Sequence, residues 1–334
     1  MERSETDRPV DSVRPSGPVQ PVEEIGAVGA AGAVRQAGAE RPSAPPGDAA
    51  PAADVPPPLV IGRPSRLRSA PGRPPAAPHP KLDAVRPDSE IDGAELPGLV
   101  VRAASVRGDA HRYQGTLRQD SMKLRPLGED GVVLCVADGL GSRPLSHVGS
   151  DRAVQEASRH VPAFMDAAEP AKAAAALVHH VSHNLREYAV WVGVDGEDLA
   201  TTLVAGGVRR REDGTALARL ARVGDSTALY LRNDDWTSCF PTDPDTAVAT
   251  SATAALPAKA PDVQVADLVL RPGDLLVLCT DGLERPMRGD EVRRRLADWW
   301  SRPEPPSLPE FHWQFSFRAR THDDDRTAIC VWAV

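Results

Sequence analysis

Four short acidic motifs are spread along the C-terminal two-thirds of this 334-residue chain: Gln119-Asp120-Ser121, Ala137-Asp138-Gly139-Leu140-Gly141, Thr280-Asp281-Gly282-Leu283 and Asp323-Asp324-Asp325-Arg326-Thr327. Three of them adjoin strand-like apolar runs, such as Val132-Val133-Leu134-Cys135-Val136 and Leu275-Leu276-Val277-Leu278-Cys279. An aspartate just beyond such a run is held at the rim of a sheet, where carboxylates from distant segments can converge. Crowded carboxylates repel one another, and their pKa values rise unless a cation neutralises them. An all-oxygen ligand set selects hard divalent ions such as Mg2+ or Mn2+. The first expectation is therefore a metal site.

Other reactive groups carry less. His179 and His183 share a helix face by their i, i+4 spacing, but no glutamate completes a His-Glu-x-x-His pattern, so the His179-His180-x-x-His183 cluster reads as helix surface. Cys135, Cys239, Cys279 and Cys330 have no Cys-x-x-Cys spacing, and three lie in apolar runs, which fits free thiols in a reducing compartment. The chain has no Cys-x5-Arg loop, Gly-x-Ser-x-Gly elbow or Gly-x4-Gly-Lys-Ser/Thr loop, so covalent and nucleotide-cradling chemistries find no support.

The elements that must position the aspartates follow from periodicity. Gly98–Val106 and Gly131–Ala137 read as strands, and Ser146–Phe164 and Ala171–Val192 as helices with one apolar face. Strand candidates then run over Leu199–Gly207, Ala216–Val223, Ala228–Arg232, Val263–Leu270, Leu275–Thr280 and Ala328–Val334. Runs of strands with an inserted helical pair predict an α+β layered sandwich with helices on the outer sheet faces. Gly224-Asp225-Ser226 reads as a tight hairpin turn that could also present Asp225 to a metal. Arg293-Arg294-Arg295 reads as a solvated helix face, and alternation through Trp313, Phe315 and Phe317 suggests a half-buried strand.

Composition sets the boundaries. Of 33 prolines, 19 fall between Pro9 and Pro97 in a stretch nearly devoid of aromatic residues, which predicts a disordered Pro/Ala/Gly-rich tail over residues 1–95 and one folded domain over 96–334. A net charge of −8 argues against nucleic acid as a partner. No apolar run approaches the ~18 residues of a membrane span, and Ile25–Val34 lacks the basic start of a secretion signal, so a cytoplasmic location is expected.

In order and wording the motifs resemble the metal-dependent protein phosphatases of the type 2C family, in their bacterial branch. The likeness rests on Gln119-Asp120-Ser121, Val136-Ala137-Asp138-Gly139-Leu140-Gly141, Thr201-Thr202-Leu203-Val204, Val223-Gly224-Asp225-Ser226, Leu278-Cys279-Thr280-Asp281-Gly282-Leu283 and Asp324-Asp325-Arg326-Thr327. The resemblance implies a four-layer α/β/β/α sandwich of two antiparallel sheets, with two or three Mn2+ or Mg2+ ions at one end. It also implies hydrolysis of phosphoserine and phosphothreonine in protein substrates by a hydroxide bridging two ions, in a system that includes a serine/threonine kinase. By the same resemblance Asp138 bridges the ions and Gly139 lends a backbone carbonyl. Asp281 and Asp324 complete the first ion's shell, Asp120 joins Asp138 as a catalytic carboxylate beside the second ion, and Asp225 serves a looser third.

The chain also departs from the family pattern. Gly115 stands where many members carry a phosphate-holding arginine, so His111 and Arg112 become the candidate substrate contacts. Leu140 replaces a histidine proposed as general acid, Asp325 stands where asparagine is usual, and His147 reads as a capping or surface residue. A catalytically silent regulatory or scaffold module is the competing reading, although a scaffold has no physical need to keep repelling carboxylates together.

Overall fold

The computed structural model describes residues 56, 59–62, 73, 86–240, 254–257, 262–319 and 322–334. Most of the expected Pro-rich tail lies outside the described residues. Among those described, the order is β1 (Val60–Ile61), β2 (Ser89–Leu96), β3 (Leu99–Val106), α1 (Asp109–Gln114), β4 (Ser121–Pro126), β5 (Gly131–Ala137), α2 (Ser146–Met165), α3 (Pro170–Val192) and a 3-10 turn at Gly196–Leu199. Then come β6 (Leu203–Arg210), β7 (Ala216–Val223), β8 (Thr227–Arg232), β9 (Asp235–Ser238), β10 (Gln264–Leu270), β11 (Leu275–Cys279), α4 (Asp281–Met287), α5 (Asp290–Trp300), α6 (Leu308–Phe315), β12 (Arg318–Ala319) and β13 (Arg326–Ala333).

Two antiparallel sheets face each other, one ordered β10-β7-β6-β5-β4 and the other β2-β3-β13-β11-β8-β9. Their inner faces are lined by Leu134, Val136, Val204, Leu220, Leu276, Leu278 and Ile329, all fully buried. Helices α2 and α3 cover the outer face of the first sheet through Ala157, Val161, Leu177, Val181 and Leu185. Helices α4, α5 and α6 cover the other through Leu283, Leu296, Trp300 and Phe311. This is the expected four-layer sandwich, and the fully apolar β5 and β11 are buried along their whole length on both faces.

The structure corrects three expectations. Ser89–Glu95 falls on the tail side of the expected boundary at residue 95, yet β2 pairs along its whole length with β3, from Ser89 opposite Val106 to Leu96 opposite Leu99. As an edge strand exposed over much of its length it needs few apolar residues, so composition does not reveal it. The segment Gly224–Ser226 is no hairpin, because β7 and β8 lie in different sheets and the segment crosses from one to the other. Trp313 and Phe315 lie in α6, a helix rather than a strand: Ser307 caps its start by accepting a hydrogen bond from Glu310 N, and Phe311 and Phe315 stack one turn apart at 5.7 Å.

The two sequence-assigned helices are close to their expected limits, α3 starting at Pro170 and ending before Gly193 at φ +77°. The thiols of Cys135, Cys279 and Cys330 are buried and free, and His179, His180 and His183 lie exposed on α3. Arg293–Arg295 fall within α5. Among the described residues no helix is long and apolar enough to cross a membrane.

Trp300 closes the outer aromatic layer, donating its indole N–H to Gln314 Oε1 at 2.9 Å and packing 5.6 Å from Phe311 and 6.5 Å from Trp332. Truncating a fully buried aromatic costs about 3–5 kcal/mol. Trp300→Ala is therefore expected to lower unfolding stability by roughly that amount in urea titration.

Candidate metal centre

Strand register brings the acidic motifs to one rim. Ser121 at the start of β4 pairs with Ala137 at the end of β5, and Leu203 at the start of β6 pairs with Val223 at the end of β7. In the second sheet Cys279 at the end of β11 lies between Thr227 of β8 and Ala328 of β13. Asp120, Asp138, Asp225, Asp281 and Asp324 each lie within a few residues of these paired ends, so antiparallel geometry gathers them at one end of the sandwich.

Carboxylate oxygens of Asp138, Asp225 and Asp281 lie within 4.8 Å of one another. All three are among the expected ligands, and Asp324 is near enough to act on Asp138 and Asp281. The neighbours act on each other. Burial, then Asp120, Asp281, Asp324 and Asp225, hold the Asp138 carboxyl well above the usual carboxylate range. Burial pushes Asp120 up to about 8, with Asp325 and Asp324 adding to it. Burial also lifts Asp281 to about 6, against the opposing pull of Arg285.

Hydroxyls fix this geometry. Thr201 Oγ1 donates to Asp138 O at 2.8 Å, Asp138 N donates to Thr202 Oγ1 at 3.0 Å, and Thr202 Oγ1 lies 2.6 Å from Ser226 Oγ. The threonine pair thus joins the end of β5 to the crossing that carries Asp225. Across the rim Thr280 Oγ1 donates to Asp120 Oδ2 at 2.8 Å and accepts from Thr327 N at 3.1 Å. The other oxygen of Asp120, Oδ1, is buried without a hydrogen-bond partner. A buried carboxylate oxygen left so is costly unless a cation meets it. The all-oxygen donors, mutual repulsion and orphaned oxygen fit a hard divalent ion.

Asp325 has a different part. Buried at 3% exposure, it accepts from Gly108 N at 2.7 Å, His111 Nδ1 at 2.8 Å and Gln119 N at 2.5 Å, tying α1 and the Asp120 segment to the start of β13. His111 is held by this bond with Nε2 3.9 Å from Asp324. Arg112 is engaged elsewhere, 2.6 Å from Asp88 and 3.1 Å from Asp109. Gly115 caps α1 in the left-handed region at φ +77°, where a side chain is strained. Gly139 has no room for a Cβ, which would fall 2.6 Å from Ser146 O.

Sequence reasoning missed several contributors. Arg86 is nearly enclosed, donating to Asp120 O at 3.0 Å and Ser121 Oγ at 2.9 Å, 3.5 Å from Asp151. Its place in a Pro-rich stretch gave no signal. Arg285 Nη2 lies 2.5 Å from Asp281 Oδ2, a pairing that i, i+4 spacing could have flagged.

A family model described as protein phosphatase 2C matches residues 107–312. Among solved structures, PppA, described as a key regulatory component of T6SS in Pseudomonas aeruginosa, is 22% identical with a TM-score of 0.51, over 73% of this chain and all of that one. The S. agalactiae serine/threonine phosphatase is 15% identical with a TM-score of 0.51, over 74% of this chain and all of that one. The catalytic domain of the serine/threonine protein phosphatase PstP, in complex with two manganese ions, is 20% identical with a TM-score of 0.49, over 71% and 98% of the two chains. No curated protein matches the chain in sequence. At these identities the two structures with a TM-score of 0.51 speak to the fold alone.

His147 is buried at 2% exposure rather than on the surface, with Nε2 lacking a partner. Burial, then Arg86, pushes its imidazole down to about 4. The unfolded chain takes this proton near pH 6.5, so stability present above that pH is lost as pH falls towards 4. His147→Gln is expected to lose less stability than wild type between pH 7 and pH 4.5, as read by urea midpoints. An identical loss in both proteins would refute the assignment.

Proposed function

This chain belongs to the protein phosphatase 2C family, and from that membership we propose that it is a Mn2+- or Mg2+-dependent phosphatase of phosphoserine and phosphothreonine in proteins. The observation that carries the reading is the convergence of Asp138, Asp225 and Asp281 oxygens within 4.8 Å at the sandwich rim. A phosphomonoester dianion is a poor electrophile and neutral water a poor nucleophile, so hydrolysis needs both neutralised charge and an activated water. Divalent ions, when bound, supply Lewis acidity for both needs.

The chain's own residues hold and orient. Asp138, Asp225 and Asp281 are the proposed first cation ligands, with Asp324, Asp120 and the Gly139 carbonyl completing the set at neighbouring positions. Thr201 and Thr202 fix the Asp138 backbone from both sides, and Thr280 fixes one oxygen of Asp120 while the other stays buried without a partner. Asp225 and Asp324 are open to solvent, with 40% and 56% of their side chains exposed, which leaves a phosphorylated side chain a path inwards. The proposed catalytic unit extends from about Arg86 to the C-terminus, acts in the cytoplasm, and opposes a serine/threonine kinase.

Asp138→Asn removes one charge from the centre of the cluster at nearly constant volume. It is expected to cut Mn2+-dependent hydrolysis of p-nitrophenyl phosphate and of a phosphothreonine peptide by roughly 100-fold or more, with the circular-dichroism spectrum unchanged. Full activity in this variant, or wild-type turnover that survives chelation, would refute the mechanism. A folded wild type without turnover in Mn2+ or Mg2+ would favour a silent regulatory module.

A further inference from the structure

We propose that Arg285 receives the substrate phosphate, supplying the guanidinium that Gly115 cannot; the inference rests on the phosphatase reading. Recognition of a phosphate dianion beside a metal centre favours a planar guanidinium, which forms paired charge-assisted hydrogen bonds. The usual position is closed to one here, because Gly115 caps α1 with a positive φ. The adjacent Arg112 is engaged by Asp88 and Asp109.

Other guanidinia near the rim are engaged elsewhere: on the surface Arg288 pairs with Glu284 at 2.9 Å and Arg143 with Glu197 at 3.0 Å. Arg326 donates to the carbonyls of Gly282, Phe315 and Phe317. Arg107 reaches the carbonyls of Arg73 and His111, and Arg222 binds Gln264 Oε1 and Thr227 Oγ1. Arg86 is enclosed beneath Asp120. Arg326, Arg107, Arg222 and Arg86 hold the framework together.

Arg285 differs in the carboxylates it faces. It lies one turn after Asp281 on α4, with Nη2 2.5 Å from Asp281 Oδ2 and 3.9 Å from Asp225 Oδ2, two members of the carboxylate trio. Half of its side chain, 51%, faces solvent. The guanidinium is therefore both solvent-accessible and within reach of an anion held at the cluster. Its hold on Asp281 and Asp225 is electrostatic, so cations bound among those carboxylates weaken it, and a phosphate dianion then becomes the stronger anion within reach of the same side chain.

The test compares wild type, Arg285→Ala and Arg285→Lys as full chains loaded with Mn2+. Arg285→Ala is expected to weaken binding of inorganic phosphate, measured by calorimetry, by about tenfold or more, and to raise KM for a phosphothreonine peptide by a similar factor with a smaller change in kcat. Lysine restores part of both by charge alone. Mn2+ affinity in Arg285→Ala should equal or exceed that of wild type, since a competitor for Asp281 and Asp225 is gone. Weaker Mn2+ binding with unchanged phosphate affinity would make Arg285 a mere support for Asp281 and overturn the proposal, as would unchanged phosphate affinity alone. Phosphate binding is read without turnover, so a wild type that hydrolyses nothing refutes the phosphatase reading separately.

Discussion

Like-charge crowding at one end of a sandwich is the constraint that organises this protein. Asp120, Asp138, Asp225, Asp281 and Asp324 arrive from both sheets, and water is excluded enough to lift several of their pKa values. Such a cluster drifts apart unless rigid elements oppose the repulsion. The opposition comes from strands whose backbones are fully paired up to the rim, and from hydroxyl groups that clamp the loops just beyond it. Thr201, Thr202, Ser226, Thr280 and Thr327 are all buried, and none carries a charge, so they fix position without quenching the negative potential.

Two departures from the family pattern acquire a physical explanation. Asp325, in place of a usual asparagine, sits opposite His111, whose imidazole is raised by the hydrogen bond and charge of Asp325 against the opposing effect of burial. The pair replaces a neutral contact by a charge-assisted one and adds two backbone N–H donors to the same carboxylate. Gly115 likewise reflects the short α1, which needs a left-handed residue to end where it does.

The sandwich was largely legible in the sequence because its central strands are buried on both faces and its long helices are strongly one-sided. Gly131–Ala137, Ala216–Val223 and the α2/α3 pair needed only periodicity to be found. Edge elements escaped: β2 is half polar, and α6 carries aromatic spacing that fits a strand until the Ser307 cap and the Phe311/Phe315 stack decide for helix. The aspartates themselves were visible through motif and strand-end position. How Asp225 is delivered was not, because that depends on Gly224–Ser226 crossing between sheets, a tertiary fact that looks locally like any Gly-Asp-Ser turn. Arg285 and Arg86 belong to the same class, since their meaning lies in what they face.

The crossing at Asp225 has a mechanical consequence. Asp138 hangs from one sheet, Asp281 from the other, and Asp225 from the strap between them. An ion gripped by all three would fasten the layers together like a rivet, so that cation uptake and cohesion of the sandwich become thermodynamically linked. Leu134, Leu276 and their neighbours fill the space between the sheets and so help set how far apart Asp138 and Asp281 are held.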